Sequence, residues 1–285
     1  PPGETIGWYG VAVDGKELRG AGKHGPSVRL VSLVRHGSGC ILGQRRVGGK
    51  AYEPYALDQW LKGRDLRGMV ITADALYTCA DRAQQIVDQG GDYFLLVKGN
   101  QPSLHEAIAF LFAEGPLPGE ARWETVSYDK GHGRIEIRRV MSSEELNDYL
   151  RWPDVGQVVK RICTRIPIEG GEREQNTGYA ITSLTQDRAS VQELAQLWRG
   201  QWTIENRSHY VRDETMGEDR GQTAKGHAPQ ALSALRNAIM TALRCRGWGN
   251  IADALRYYGA TVARSFGLVA TPLEPTSLQD LSTFS

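Results

Sequence analysis

The segment VAVDG at residues 11–15 is a short run of β-branched and small residues that ends on an acid and a glycine. Such a run predicts a strand with Asp14 at or near its end. Two further runs, Val28–Arg35 and Cys40–Val47, also predict strands, and the turn residues His36-Gly37-Ser38-Gly39 join them. We therefore expect the chain to open with three consecutive strands.

Helix and strand patterns alternate from there to residue 97. They predict a helix, a strand, a helix and a strand at Ala51–Lys62, Met69–Ala73 (followed at once by Asp74), Asp81–Asp88 and Tyr93–Val97. Three strands followed by such an alternation predict an α/β fold with a mixed sheet. This opening order is that of ribonuclease-H-like domains, so we expect a mixed sheet flanked by helices.

The pattern changes between residues 101 and 185, which we interpret as a β-rich insertion. A predicted helix at Leu104–Phe112 is followed by a linker rich in Pro and Gly, and then by alternating runs that predict strands. The insertion would divide a catalytic core into residues 1–100 and 186–265, and residues 266–285 are predicted to be a mobile tail. The predicted strands are Trp123–Tyr128, Arg134–Met141, Gln157–Ile168 and Tyr179–Leu184.

Helical patterns return at Ser190, where the sequence Ser-Val-Gln-Glu193 has the spacing of a capping box. The predicted helix runs to about Arg212, with Gly200 as a break or kink. A second helix is predicted from Ala228 to about Arg246.

The bulk composition is that of an ordinary globular protein, with 40% hydrophobic and 24% charged residues. No apolar run reaches the roughly 18 residues that a membrane span needs, and residues 1–10 lack a signal-peptide pattern. The four cysteines are isolated, without a CxxC pair, which argues against a zinc site or a disulfide framework. These features predict a cytoplasmic protein without a membrane partner.

Charge is distributed unevenly along the chain. The formal net charge is only +1, but residues 1–50 hold eight Lys or Arg residues and three acids. A local excess of this size predicts a basic face for a phosphate-backbone partner, although a solvated surface patch accounts for it equally well.

Two acids follow or end predicted strands, Asp14 in the first and Asp74 after the fourth. In a ribonuclease-H-like sheet these strands are neighbours, so the two carboxylates would converge and repel each other unless a cation lay between them. Hard divalent ions fit such a pair. Taken singly, each acid is more simply explained by local structure, Asp14 as a turn residue before Gly15 and Asp74 as a helix cap.

Glu205 is the candidate third acid, on the late helix. With α-helical spacing it shares a stripe with Gln201, His209 and Arg212. Periodicity alone favours a solvated face on which Glu205 pairs with His209 or Arg212.

Several segments resemble signatures of the H-repeat-associated group of insertion-sequence DDE transposases, in order from about residue 10 to 260. The resemblance implies a ribonuclease-H-like fold with a β insertion before the last catalytic helix, and a catalytic triad of Asp14, Asp74 and Glu205. The matching segments are VAVDGKELRG, ITADALYT, GGDYFLLVKGNQ, KGHGRIEIR, WTIENRSHYVRDETMGEDR and APQALSALRNAI.

The chain departs from the group in two places, the region before Asp14 and the late helix. Members usually carry a long helical region before the first catalytic Asp, whereas about a dozen residues precede Asp14 here, so the resemblance does not extend to the end-recognition functions of that region. Glu214 stands where a small aliphatic residue is common, and this change does not touch the triad.

The resemblance also implies the chemistry. A bacterial transposase acting at the nucleoid would cut phosphodiester bonds at element ends in double-stranded DNA and join the freed 3′-hydroxyl to target DNA, as a dimer. Two Mg²⁺ ions, replaceable by Mn²⁺, would be held with Asp14 shared, Asp74 on one ion and Glu205 on the other. A domesticated nuclease and a catalytically silent DNA-binding relative are the alternatives.

Eight residues are candidate DNA contacts. Lys98 and Asn100 follow the last core strand, and His132 and Arg134 lie in the GHGR hairpin; both pairs are equally well explained as turns. The other four surround Glu205 and are expected to contact the phosphate backbone: Arg199, Arg207, Arg212 and Arg220.

Overall fold

The structure is a computed structural model that describes residues 7–22, 28–114, 121–131, 133–221, 223 and 225–270. The chain divides into two compact units. The N/C unit comprises Val11–Asp65 and Gln201–Ser285, and the central unit comprises Pro1–Gly10 and Leu66–Gly200.

The strands and helices follow one another in this order. The strands are β1 (Tyr9–Leu18), β2 (Val28–Arg35), β3 (Ile41–Val47), β4 (Met69–Ala73), β5 (Asp92–Val97), β6 (Arg122–Gly131), β7 (Arg134–Ser143), β8 (Gln157–Pro167) and β9 (Glu174–Thr182). The helices are α1 (Arg19–Gly22), α2 (Glu53–Leu61), α3 (Ala80–Asp88), α4 (Pro102–Leu111), α5 (Val191–Gly200), α6 (Ala228–Cys245), α7 (Ile251–Gly259) and α8 (Val262–Ala270). Two π-helical runs, Glu205–His209 and Val211–Thr215, form what we name the π segment.

In the N/C unit, β1, β2 and β3 form an antiparallel array. The prediction that the first strand ends near Asp14 is wrong, because β1 continues to Leu18 and Asp14 lies in its middle, opposite Ser32. The extension is stabilised by β2, which is long enough to pair with every residue from Gly15 to Leu18. Long-range pairing of this kind overrides the local turn preference of Asp-Gly.

The central unit contains a mixed sheet in the order β4-β5-β9-β8-β7-β6. β4 and β5 are parallel, and β9 joins β5 antiparallel, with Phe94 opposite Thr182. The strands of the predicted insertion therefore continue the sheet that β4 and β5 begin. The division of the chain at residues 100 and 185 stays a prediction.

The mixed α/β fold class is confirmed. Three antiparallel strands, a helix, and then two parallel strands joined through a helix form the ribonuclease-H-like succession, and helices pack on the sheets. Residues 266–270, assigned to the predicted tail, belong to α8, and residues 271–285 of that tail lie outside the described residues. Among the described helices, none is long and apolar enough to cross a membrane.

The capping box at the start of α5 forms as predicted. The backbone N–H of Ser190 donates to Glu193 Oε2 at 2.7 Å, and the N–H of Glu193 donates back to Ser190 Oγ at 3.4 Å. The helix then packs Leu194, Leu197 and Trp198 into the core of the central unit, and it ends at the predicted break, Gly200.

A buried ion pair holds the end of the π segment. Arg212 is fully buried, and its Nε donates to Glu218 Oε2 at 2.8 Å. Arg236 of α6 lies 3.5 Å from the other oxygen of Glu218. Asp219 accepts from the backbone N–H of Arg19 at 3.3 Å, so the Glu218-Asp219-Arg220 signature joins the π segment, α1 and α6.

Ser190→Ala removes one half of the capping box. We expect the free energy of unfolding to fall by about 1 kcal/mol, the usual contribution of an N-cap side chain. Urea denaturation measures the change, with Gln192→Ala on the exposed side of α5 as the control. Equal effects of the two substitutions would contradict a capping role.

Glu218→Gln leaves the Arg212 guanidinium buried without its counter-charge. Removing one partner of a buried pair costs about 3–5 kcal/mol, so we expect a loss of that order in urea denaturation. The matched control is Glu214→Gln, because Glu214 pairs with Arg220 at 3.5 Å on the surface and should contribute at most about 1 kcal/mol. A loss at position 218 no larger than at 214 would disprove the structural role.

Candidate active site

Asp14 is held at the middle of β1, where Val11, Ala12 and Val13 before it are fully buried. Burial raises the pKa of its carboxyl above the usual value. The electrostatic interaction with His209 opposes that increase, whereas the carboxylates of Glu53 and Glu205 add to it. A raised pKa in a site crowded with acids is typical of functional carboxylates.

Glu205 lies on the π segment and not on the regular α-helix that its sequence periodicity predicts. The N–H of Tyr210 donates to the carbonyl of Glu205, and the N–H of Met216 donates to that of Val211 at 3.0 Å, both five residues back. Short π-helical runs inside helices are rare and often occur at functional sites. The wider turn still brings His209 next to Glu205.

Asp14, Glu205 and His209 form one cluster in the N/C unit. Each offers a ligand atom, and the three atoms lie within 4.8 Å of one another. His209 Nδ1 is 2.9 Å from Glu205 Oε2 and 3.8 Å from Asp14 Oδ2. The hydrogen bond with His209 is the main cause of the lowered pKa of Glu205.

The donor set of this cluster fits a divalent cation. Two carboxylates, one of them with a lowered pKa, supply the hard oxygen ligands that Mg²⁺ and Mn²⁺ prefer. Without a cation, the two carboxylates repel each other, and His209 is the one member of the cluster that can offset this repulsion.

Two contacts hold the π segment and the turn before it against β1. Gln201 Nε2 donates to the carbonyl of Val13 at 3.0 Å, one residue before Asp14. Lys16, which is buried, pairs with Asp213 at 2.5 Å, and its charge contributes to the lowered pKa of Glu205. The sequence contains both residue pairs but no local signal that they meet.

Glu53 is a further acid near Asp14 that sequence reasoning missed. It is buried and pairs with Arg29 at 2.9 Å. A Cβ built at Gly15 would lie 2.2 Å from Glu53 Cδ, so a side chain at position 15 would have to displace the buried carboxylate of Glu53. The glycine in VAVDG therefore lies within β1, against α2, and not in a turn.

Asp74 lies in the central unit, directly after β4 as predicted. It caps a short helical turn, because its Oδ1 accepts from the N–H of Ala75 at 2.7 Å. Lys98 follows β5 and pairs with the same carboxylate at 3.0 Å, and Asn100 donates to the carbonyl of Ala75 at 2.7 Å. Lys98 and Asn100, the two candidate DNA contacts after β5, thus contact Asp74 and the turn that follows it.

The other predicted DNA contacts differ in exposure. Arg212 is buried in its pair with Glu218, so a contact with DNA does not fit its position. Arg134 pairs with Glu136 in the central unit at 2.7 Å, and His132 lies outside the described residues. Three arginines are exposed in weak or peripheral contacts: Arg199 (3.4 Å from Asp129), Arg207 (3.3 Å from the carbonyl of Ser38) and Arg220 (3.5 Å from Glu214).

Several similar proteins are named as putative transposases. "Putative transposase YncI" of Escherichia coli O157:H7 is 28% identical over 242 residues, which cover 82% of this chain and 61% of that protein. "H repeat-associated putative transposase YhhI" of Escherichia coli strain K12 is 26% identical over 242 residues, covering 82% and 63%. The chain therefore spans about three fifths of the length of these relatives.

A solved structure, the piggyBac transposase synaptic complex with hairpin DNA, matches 96% of this chain and 57% of that chain with a TM-score of 0.46 and 12% identity. A similarity of this size adds nothing to the assignment. The family model described as a transposase DDE domain, in contrast, matches residues 9–241. This match includes the cluster of Asp14, Glu205 and His209 as well as Asp74, and the chain belongs to the transposase DDE domain family.

Proposed function

We propose that the chain is the catalytic core of a DNA transposase that cuts phosphodiester bonds at element ends and joins the freed 3′-hydroxyl to target DNA. The observation that carries the proposal is the meeting of Asp14 and Glu205 with His209 within 4.8 Å. Family membership supplies the reaction class, and the paired carboxylates supply a place for the cations that such chemistry uses.

Three carboxylates would hold two Mg²⁺ ions, which Mn²⁺ could replace. In this assignment Asp14 would be shared, Glu205 would hold one ion and Asp74 the other. Such ions would supply activation of the attacking oxygen and stabilisation of the leaving one. The protein's own contribution is to keep the carboxylates ionised and oriented, and the hydrogen bond from His209 favours the ionised form of Glu205.

Double-stranded DNA would contact the exposed cations around these acids. Lys98 is exposed beside Asp74, where its ammonium can exchange the carboxylate for a phosphate oxygen. Arg207 lies on the π segment, Arg220 follows it, and Arg199 lies in the last turn of α5. Arg134 and Asn100 stay candidates, although their present contacts with Glu136 and Ala75 favour structural roles.

The reaction brings two element ends together, so we propose that two copies of the protein act as a dimer on DNA. End recognition and target choice belong to the whole protein. A nuclease that cuts without joining would use the same three acids, and a silent DNA-binding relative would need none of them.

The test is cleavage of labelled duplex DNA that carries the element's terminal repeat, in Mg²⁺ or Mn²⁺. The neutral variants Asp14→Asn, Asp74→Asn and Glu205→Gln should each lose about 10²–10³-fold in rate, the order expected when an electrostatic element of a transition state is removed. Glu214→Gln, at an exposed acid of the π segment, is the control and should cut normally. Undiminished cutting by the Asp14 or Glu205 variant would refute the site.

The same assay separates the alternatives when the labelled end is supplied pre-cut with a free 3′-hydroxyl. A transposase yields the end joined to target plasmid, whereas a domesticated nuclease yields cut DNA without joined product. A silent relative binds the duplex and gives neither.

A further inference from the structure

His209 occupies a buried position between the two carboxylates of the cluster. Its side chain is 5% exposed, although its neighbours on the π segment, Arg207 and Tyr210, are exposed. Nδ1 faces Glu205 Oε2 at 2.9 Å and Asp14 Oδ2 at the longer distance of 3.8 Å. Only the first of these separations is a hydrogen bond.

The surroundings of the imidazole indicate which nitrogen carries its proton. Nε2 is buried and has no hydrogen-bond partner among the residues that the structure describes. A buried N–H without an acceptor costs more than an unprotonated ring nitrogen in the same place. The neutral ring is therefore most stable with its proton on Nδ1, where Glu205 accepts it, and a protonated Nδ1 cannot ligate a metal.

The backbone keeps this geometry. His209 is the last residue of the first π-helical run, and Ser208 beside it is fully buried. Ile204 packs against Ala12 of β1 and Val34 of β2 in a small apolar cluster. The segment is thus fixed on both sides of Glu205, so that the histidine, and not a mobile helix, sets the orientation of the carboxylate.

We propose that His209 is a positioning residue that holds Glu205, through Nδ1–H, in the orientation that binds the divalent cation, without ligating the cation itself. The inference rests on the proposed function, because it assigns a role within the same site. Hydrogen-bonding partners of metal ligands typically change metal affinity by 10–100-fold when they are removed. We expect that range for His209→Ala.

The experiment is titration of the protein with Mn²⁺ in the absence of DNA, with free Mn²⁺ followed by electron paramagnetic resonance. His209→Ala should weaken binding by about 10–100-fold. His209→Asn places an amide N–H donor near the position of Nδ1. This variant should restore the Mn²⁺ affinity to within about threefold of wild type, which is less than the tenfold change that corresponds to about 1.4 kcal/mol. The control is His105→Ala, because His105 packs edge-on against Tyr179 in the central unit.

Three results would overturn the inference. Nitrogen coupling from a histidine to bound Mn²⁺ in the wild-type spin-echo spectrum would make His209 a ligand. Unchanged Mn²⁺ affinity in His209→Ala would remove its role. Equal loss in His209→Ala and His209→Asn would mean that the ring's packing, and not its N–H, matters. If the alanine variant does not fold, the Mn²⁺ affinity of the asparagine variant and the wild-type spectrum still decide whether His209 positions Glu205 or ligates the cation.

Asp14→Asn separates this inference from the proposed function. If Asp14→Asn abolishes Mn²⁺ binding and His209→Ala does not change it, the metal site stands and only the role of His209 fails. If Asp14→Asn binds Mn²⁺ like wild type, the proposed metal site fails and the inference fails with it.

Discussion

The constraint on which the N/C unit depends is the crowding of negative charge around Asp14. Burial is the main cause of the raised pKa of the Asp14 carboxyl, and Glu53 and Glu205 raise it further. Like charges this close are unfavourable unless cations or donors offset them. The structure supplies such offsets at the neighbouring acids: His209 is hydrogen-bonded to Glu205, Arg29 pairs with the buried Glu53, and Lys16 adds its charge near Glu205. A divalent cation would complete this compensation.

The same compensation fixes the backbone. Lys16 of β1 pairs with Asp213 of the π segment, and Arg29 of β2 pairs with Glu53 of α2, so both ion pairs also join two elements. The buried pair of Arg212 and Glu218 extends the pattern to α6 through Arg236. Arg212, which the sequence suggests as a DNA contact, is therefore a buried structural cation. The Glu218-Asp219-Arg220 signature holds the π segment, α1 and α6 together.

The features that could be predicted from sequence are the local ones. The capping box of Ser190 and Glu193, the break at Gly200, the strand Met69–Ala73 and the position of Asp74 after it depend on residues within a few positions of each other. The end of β1 was predicted wrongly, because a local turn signal at Asp14-Gly15 competes with pairing to β2. The π-helical geometry around Glu205 was also missed. A short stretch of apolar periodicity does not show whether each backbone N–H bonds to the carbonyl four residues back, as in an α-helix, or five residues back, as in a π-helix.

By itself the sequence determined the succession of strands and helices, the mixed α/β class and, through its ordered signature segments, membership of the transposase DDE domain family. Tertiary structure alone decided which side chains meet: that His209 is buried between Asp14 and Glu205, that the Glu53 carboxylate lies against Gly15, and that Arg212 is buried. The physical reason is that these contacts join residues far apart in the chain. Their burial and charge environment arise only when the β1 sheet and the π segment pack together.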